Sequence, residues 1–361
     1  MIEVSTWNAR HDLRGAASAL HEWIAGGHTQ DTGGAYCGWA SGADGTLSEP
    51  YPEITGYFLT YWSWALDQFG AQTTDNHRRA ADWLAERFSR GDYAGRPRRD
   101  GATVYYFDVA MAAHGLLQWG AANDSARHID VGLDAVALIE SAWQGRAPHC
   151  VDEEAADVAT RSKWSLSGTT HLWKVVQALL SAEVHGRASA GDLADRIIVG
   201  AFEALGASDA VPIRTSPGGP ISMHAVCYGA EGLWVWGKRR GDSRAIDASR
   251  SLTEWLTNRS DTDGSVPGFV DPSDTGERTL CQGDVLAQVS RLNRLHGIDN
   301  GRAVPLLEEL ERTVRNDETG AWMPYMPGLE HEDKNTWATM FAAQALAFGE
   351  AGAAPRWDQL V

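Results

Sequence analysis

A repeated pairing of two kinds of helix constrains this fold most. A loop rich in Gly, Pro and aromatic residues leads into an apolar helical run, and the pair recurs about every 50–60 residues, a length at which one unit cannot bury its own apolar face. The apolar runs begin near Tyr51, Val104, Ser165, Ser222, Thr279 and Asn335. Two of them share an ending, AHGLLQWG at 113–120 and AEGLWVWG at 230–237. Gly70, Gly120, Gly237 and Gly297 are the predicted helix ends, where a positive φ is common.

Amphipathic runs lie between the apolar ones. They begin near His11, Asp75, His128, Ser189, Asp242 and Val304. A helix that is apolar on most sides is buried on most sides, whereas a helix with a polar stripe faces water. The alternation therefore predicts an all-α, (α/α)6 toroid of six inner and six outer helices, formed as a single domain by residues 1–361. We expect β-structure only as short hairpins in the loops, at Ala35–Thr46 and Val266–Asp271.

Composition excludes several classes of partner. The formal net charge is −17, which disfavours nucleic acid and anionic membrane surfaces because both need basic patches. The short cluster of Arg96, Arg98 and Arg99 is either a solvated loop or a local site for a carboxylate or phosphate. The N-terminus carries no signal-peptide pattern, and no apolar run approaches the length of about 18 residues that a membrane span needs. We therefore expect a cytoplasmic protein that acts on a small molecule or an oligosaccharide.

The toroid itself predicts where a site lies. Antiparallel alternation brings every inner-helix N-terminus, and every long loop, to the same end of the barrel. Loops on a rigid scaffold commonly carry function, and helix N-termini favour negative charge. We expect the main pocket at this end.

Ionisable side chains occupy the first turns of the inner helices. Glu53 and Asp108 begin the first and second, while His224 and Tyr228, spaced i, i+4, share a face of the fourth. A buried ionisable group needs a partner or a role. We predict that Glu53, His224, Tyr228 and Asp108 are catalytic, with helix dipoles keeping Glu53 a carboxylate and His224 neutral. The alternative interpretation makes them helix caps and core hydrogen-bonding groups.

Aromatic and polar residues at similar depth complete a funnel typical of sugar binding, in which rings pack on C–H surfaces and polar groups bind hydroxyls. The predicted substrate-binding residues are Tyr51, Tyr57, Tyr106, Trp164, His171, Gln282, Asp284, Asn335 and Trp337.

Three strings carry a resemblance to known proteins: YPEITGY at 51–57, MHAVCYGAEGLW at 223–234 and NTWATMFAAQAL at 335–346. They resemble a poorly characterised bacterial group, often labelled squalene-cyclase-like and associated with glycan gene clusters. The whole chain is similar to the (α/α)6-toroid superfamily of six-hairpin glycosidases, N-acylglucosamine 2-epimerase-like enzymes, glucuronyl C5-epimerases and terpene cyclases. The resemblance implies a toroid and, by analogy, sugar chemistry.

Metal and cofactor signals are weak. The four cysteines lack paired spacing, so reduced thiols are expected. Cys227-Tyr228-Gly229 resembles a zinc string of lanthipeptide cyclases, but the second string reads Cys281-Gln282-Gly283 and lacks its His, which leaves His224 as the alternative third ligand. Neither a phosphate-binding Gly-rich loop nor the DxDD motif of terpene cyclases occurs. We predict no metal and no organic cofactor.

The leading hypothesis is an enzyme that performs acid/base chemistry on a sugar or uronate. Epimerisation is slightly favoured over glycoside hydrolysis or lyase chemistry, because it needs two proton-handling groups and donors for an enolate, whereas hydrolysis needs two carboxylates at defined separations. The alternatives are a non-catalytic toroid that binds a glycan or protein partner, and a terpene-cyclase-like enzyme with an apolar substrate.

Overall fold

Two sets of helices alternate along the chain. The computed structural model describes residues 12–101, 103–143, 165, 168–206, 215, 219–271, 280–348 and 355–361. The outer helices are α1 (Leu13–Ala25), α3 (Asp75–Ser89), α6 (Ala126–Ala142), α8 (Ala188–Gly206), α10 (Ser243–Thr257) and α12 (Ala303–Thr313). The inner helices are α2 (Pro52–Phe69), α5 (Tyr106–Ala122), α7 (Val176–Val184), α9 (Met223–Arg240), α11 (Gly283–His296) and α13 (Thr336–Ala347). A short helix, α4 (Pro97–Asp100), lies between α3 and α5.

Burial separates the two sets as their sequences predict. Helix α2 is buried on every side from Pro52 to Ala65, whereas α3 buries one stripe and exposes the rest. Each inner helix packs against the next, and α13 packs against α2, so the inner ring closes. Helix α1 packs on α13 and covers this junction from outside. The predicted (α/α)6 toroid is confirmed.

The shared sequence ending marks close helix contacts. Gly120 and Gly237 lie inside α5 and α9, so the prediction that they end helices is wrong. A Cβ on Gly120 would lie 2.6 Å from Ile129 Cγ1, and one on Gly237 would lie 2.9 Å from Ile246 Cδ1. The two glycines therefore let equivalent inner and outer helices approach closely, which is the physical reason for the repeat.

Other helix ends agree better with the sequence. Gly70 and Gly297 cap α2 and α11 with positive φ values of 62° and 58°, as predicted. Most helices begin within one turn of their predicted starts. The third inner element differs: its described part begins at Thr170 as a 3-10 helix, Thr170–Val175, which continues into α7. Its predicted start near Ser165 falls beside residues outside the described ranges.

Strands join loops that are distant in sequence. β1 (Trp39–Ala40), β6 (Lys334–Asn335), β5 (Gly320–Pro324) and β4 (Arg315–Asp317) form one sheet in that order, and β2 (Ile221–Ser222) pairs with β3 (Phe269–Val270). The loop predicted to form a hairpin at Ala35–Thr46 does pair locally, since Ala40 bridges Leu47 in antiparallel fashion and the Ser41 amide donates to the Thr46 carbonyl at 2.8 Å, and its strand β1 pairs with β6 as well. The hairpin predicted at Val266–Asp271 is wrong, because β3 pairs with β2 from another loop. The pairings tie together the loops that precede α2 and α13, and those that precede α9 and α11. None of the helices in the described residues combines the length and apolarity of a membrane span.

Candidate functional site

The inner-helix N-termini share the end of the barrel that we call the loop end. Pro52 begins α2, since a first-turn residue needs no amide donor, and this places Glu53 in the first buried turn. The hydroxyls of Tyr51 and Tyr57 lie near Glu53 and, with the charge of Arg96, act to lower its pKa. Burial outweighs them and raises the pKa of Glu53 above its ordinary value. Desolvation thus opposes the helix dipole, which the sequence predicts to keep Glu53 a carboxylate.

Two tyrosines connect Glu53 to the fourth inner helix. The Tyr57 hydroxyl donates to the Tyr228 hydroxyl at 2.8 Å. The Tyr228 ring packs edge-on against the His224 ring, with centroids 4.4 Å apart. The i, i+4 spacing within α9 thus places both side chains on one face of that helix, and from this face the Tyr228 hydroxyl reaches Tyr57 of α2.

His224 continues the chain of contacts to α11 and α13. Its Nδ1 atom lies 3.5 Å from Asp284 Oδ2, and that oxygen accepts a hydrogen bond from Trp337 Nε1 at 3.1 Å. Burial lowers the pKa of His224 below its ordinary value, although the charge of Asp284 opposes this. The neutral imidazole that the sequence predicts is therefore favoured, and a carboxylate is placed to orient it.

Asp108 belongs to the same group through the loop before α4. Its Oδ2 atom lies so close to Gly95 that a Cβ there would be 2.7 Å away. Burial, and then the charge of Asp108, raise the pKa of Tyr51. Tyr106 is buried at the start of the same helix, and the neighbouring Phe107 ring packs on Tyr228 at 4.8 Å. The four residues predicted to be catalytic therefore lie in one connected cluster.

The remaining predicted binding residues surround this cluster. His171 packs against Phe107, with ring centroids 5.6 Å apart, and Gln282 donates to the Tyr325 hydroxyl at 3.4 Å. Trp337 packs against Tyr325, with centroids 5.7 Å apart. Trp164 lies outside the described residues.

Asn335 has a structural role in this surround. Its Oδ1 atom accepts from the Ala338 amide at 2.8 Å and caps α13. Its buried Nδ2 atom has no hydrogen-bond partner among the described residues. Helix capping accounts for the Oδ1 atom of Asn335. The predicted role in substrate binding falls to its Nδ2 atom.

A charged network below the tyrosines was not predicted. Lys174 Nζ donates to Glu231 Oε2 at 2.6 Å, and Arg291 donates to the other oxygen of Glu231. All three side chains are fully buried. Charged residues inside otherwise apolar helices are the signal that sequence reasoning could have used, because such residues almost never lie buried without partners.

The cysteines do not assemble into a metal site. Cys227 and Cys281 are free thiols, and burial raises the pKa of Cys281 to about 11. Within the described ranges, no three His, Cys, Asp or Glu side chains come close enough to hold one ion. The zinc set of Cys227, Cys281 and His224 that the sequence left open is thus not brought together.

An open cavity of about 300 Å³ lies at the opposite end of the barrel, which we call the tail end. Its lining comes from α2, α5, the end of α7 and the C-terminal segment, including Asp67, Gln118, His185 and Trp357. The C-terminal segment enters the barrel here and leaves this space beside it. A main pocket at the loop end stays a prediction, since several loops there extend beyond the described residues.

No protein-family model matches the chain, and no curated protein matches it in sequence. Solved structures match it along nearly all its length. An unsaturated glucuronyl hydrolase from Bacillus sp. GL1, responsible for glycosaminoglycan degradation, has a TM-score of 0.67 and 13% identity, over 96% of this chain and 98% of that one. A heparin-specific unsaturated glucuronyl hydrolase has a TM-score of 0.69 and 12% identity, with the same coverage. A sugar epimerase from a ruminal bacterium has a TM-score of 0.67 and 12% identity, over 93% and 98%. The TM-scores and coverages show that these proteins share the toroid fold with this chain, and at identities of 12–13% the likeness is one of fold alone.

Proposed function

We propose that this protein is a carbohydrate-active enzyme that performs acid/base chemistry on a sugar or uronate. One observation carries the proposal: a hydrogen-bonded pair of tyrosines lies between two buried ionisable groups, Glu53 and His224, and burial raises the pKa of Glu53 and lowers that of His224. Catalytic acids and bases commonly have pKa values that their surroundings shift in this way. The structural neighbours, two glucuronyl hydrolases and a sugar epimerase, support the same class of substrate by analogy.

Epimerisation is the reaction that this set of groups fits best. His224, oriented by Asp284, takes a proton from the carbon next to a carbonyl or carboxylate. Glu53 then returns a proton to the opposite face of that carbon. Neutral tyrosine hydroxyls donate to the enolate oxygen between the two steps, and burial keeps the Tyr228 phenol protonated because it raises the phenol pKa.

Arg96 supports an acidic substrate. Its guanidinium lies over the Tyr51 ring, 5.0 Å from the centroid, and its charge acts on Glu53. A guanidinium binds a carboxylate through paired hydrogen bonds. A uronate carboxylate therefore fits beside the acid.

Hydrolysis is the second candidate, because two of the reported neighbours are glucuronyl hydrolases. In this case Glu53 would protonate the substrate and His224 would activate water. A cyclase with an apolar substrate fits worse, since Glu53, Asp108 and Asp284 place carboxyl groups throughout the cluster.

The deciding experiment incubates the protein in D2O with reducing sugars, uronic acids and unsaturated glucuronyl disaccharides. NMR then follows each reaction. An epimerase incorporates deuterium at the inverted carbon, and a hydrolase releases a cleaved product. Loss of a general acid or base costs about 10²–10⁴-fold in rate, so Glu53→Gln and His224→Ala should each lower kcat by that factor while keeping the helical circular dichroism spectrum.

Glu86→Gln is the matched control, because this exposed carboxylate pairs with Arg90 on the outer helix α3. It should leave the rate unchanged. Full activity in both Glu53→Gln and His224→Ala, with a lower melting temperature, would assign the two residues a structural role. Binding of glycans without turnover of any of them would instead support a non-catalytic toroid.

The pH profile provides a further check. The rate requires neutral His224 and protonated Glu53. Because burial lowers the pKa of His224 from 6.5 and raises that of Glu53 from 4.5, the acidic limb should lie below pH 6.5 and the alkaline limb above pH 4.5. An acidic limb at or above pH 6.5 in kcat/KM would contradict the assignment of His224 as the base.

A further inference from the structure

The buried charges beneath the tyrosines do not balance within their own network. Lys174 and Arg291 supply two positive charges, and both donate to one carboxylate, Glu231. Burying a charge is costly unless it is paired, so a network with more cations than anions needs a reason. One positive charge is therefore available to a neighbouring group.

The position of Lys174 shows where that charge acts. Its ammonium lies over two rings, 5.4 Å from the Tyr57 centroid and 5.0 Å from the Tyr228 centroid. Those rings are the pair that connects Glu53 to α9. Arg291 instead lies over the Phe341 ring at 4.5 Å and donates to Gln344. The two cations of the network thus face different surroundings, and only Lys174 faces the tyrosine pair.

We propose that Lys174 is a positioning residue that stabilises the negative charge Glu53 acquires when it gives its proton to the substrate. The proposal rests on the proposed role of Glu53 as the acid. In that step the O–H bond of Glu53 breaks, a bond forms between the proton and the substrate carbon, and a carboxylate remains. Lys174 transfers no proton. Its positive charge, in a site with little water to screen it, favours the carboxylate form; burial lowers the pKa of Lys174 to about 8, so this charge is largely present at pH 7.

Other charged and titratable groups act on Glu53 as well. Tyr51 and Tyr57 lie at the start of its own helix, Arg96 lies in the loop before α4, and Tyr228 lies on α9. Glu231 and Arg291 act on Lys174 and are not among the main groups that act on Glu53. The experiment must therefore change the charge of Lys174 while keeping its hydrogen bond to Glu231.

Lys174→Gln meets this requirement, because an amide can still donate to Glu231 while Arg291 balances that carboxylate. The pKa of Glu53 is measured by NMR with 13C-labelled glutamate, and Glu53→Gln assigns the resonance. We expect the Glu53 pKa to rise in Lys174→Gln and to return toward the wild-type value in Lys174→Arg. With a substrate, kcat should fall about 10²-fold with KM unchanged, and the alkaline limb should move to higher pH.

Arg291→Gln is the matched control, since it removes the other cation from the same carboxylate and should leave the Glu53 pKa in place. If Lys174→Gln does not fold, the 15N resonance of the Lys174 ammonium in the wild type should still shift as Glu53 titrates, and should not do so in Glu53→Gln. An unchanged Glu53 pKa in Lys174→Gln, or an ammonium resonance that does not follow Glu53, would overturn the proposal. These readouts need no substrate, so they separate this inference from a failure of the proposed sugar chemistry.

Discussion

The two ends of the barrel interior bury polar groups in different ways. At the loop end the buried groups are acids, imidazoles and phenols, and burial shifts the pKa values of Glu53 and His224. The ion network lies beneath them, and its Arg291 donates to Gln344, one of the amides that hold the C-terminal segment. At the tail end the buried groups are mostly neutral amides that bind the backbone of residues 355–361. The polar groups at both ends lie mainly on inner helices, but the free energy needed to bury them differs.

The amides at the tail end are matched to backbone carbonyls. Gln177 Nε2 donates to the Leu360 carbonyl and Gln344 Nε2 to the Gln359 carbonyl, both at 2.8 Å. His114 Nε2 contacts the Asp358 carbonyl at 3.0 Å. A neutral group that keeps its hydrogen bonds is buried at little cost. This end therefore holds the barrel together, whereas the loop end retains charges whose burial is costly and which stability alone does not explain.

The shared motif places this contrast at a single position. His114 and Glu231 occupy equivalent places in AHGLLQWG and AEGLWVWG. His114 binds the tail segment, and Glu231 holds Lys174 and Arg291. The same repeat position thus holds the C-terminal segment in α5 and pairs with the two buried cations in α9.

Removing the central carboxylate should have the largest effect on stability. Glu231→Ala leaves Lys174 and Arg291 buried without their partner, which typically costs about 3–5 kcal/mol in the free energy of unfolding. Urea unfolding followed by circular dichroism measures this loss. Glu254→Ala breaks only the exposed pair with Arg250 and should cost less than about 0.5 kcal/mol. Equal losses in the two variants would show that the network contributes no more than a surface pair.

Acid should destabilise the protein through buried neutral histidines. Burial lowers the pKa of His114, at the tail end, from 6.5 to about 4, and His21, His77 and His296 are lowered similarly. Between pH 6.5 and about 4 the unfolded chain binds protons that the folded chain does not, so stability falls as pH falls. For His114 the loss reaches about 3 kcal/mol near pH 4.

Urea unfolding at pH 7, 5.5 and 4.5 measures this dependence. His114→Gln should lose less stability between pH 7 and pH 4.5 than the wild type does. His331→Gln, which changes an exposed side chain, is the control and should follow the wild type. Identical pH dependence in His114→Gln and the wild type would contradict a neutral buried His114.

The smallest effect should come from one amide at the tail end. Gln177→Leu removes the bond to the Leu360 carbonyl, which should cost about 1–3 kcal/mol. Because Gln177 is not among the main groups that act on Glu53 or His224, kcat should be unchanged. Gln72→Leu, in an exposed turn, should change stability by no more than about 0.5 kcal/mol. A large fall in kcat in Gln177→Leu would show that the two ends are not independent.

Sequence reasoning picked out the residues of this cluster because the start of each helix can be recognised from local sequence. Glu53, Asp108 and His224 each stand at the beginning of an apolar run, and the toroid brings those beginnings to one end. The same reasoning missed Lys174 and Arg291, whose roles depend on a carboxylate from another helix. It also took no account of the desolvation that raises the pKa of Glu53, since a helix dipole can be inferred from one helix, whereas desolvation depends on every neighbour that excludes water.

The sequence by itself determined the alternation of inner and outer helices and the end at which long loops meet. Both features follow from the hydrophobic periodicity, because the pattern of apolar residues in each helix shows which of its faces is buried. Only the tertiary structure decided which strands pair between loops, which side chains join the Glu53–Tyr57–Tyr228–His224 chain, and how residues 355–361 occupy the tail end. These features depend on distances between segments far apart in the chain, which local pattern does not encode.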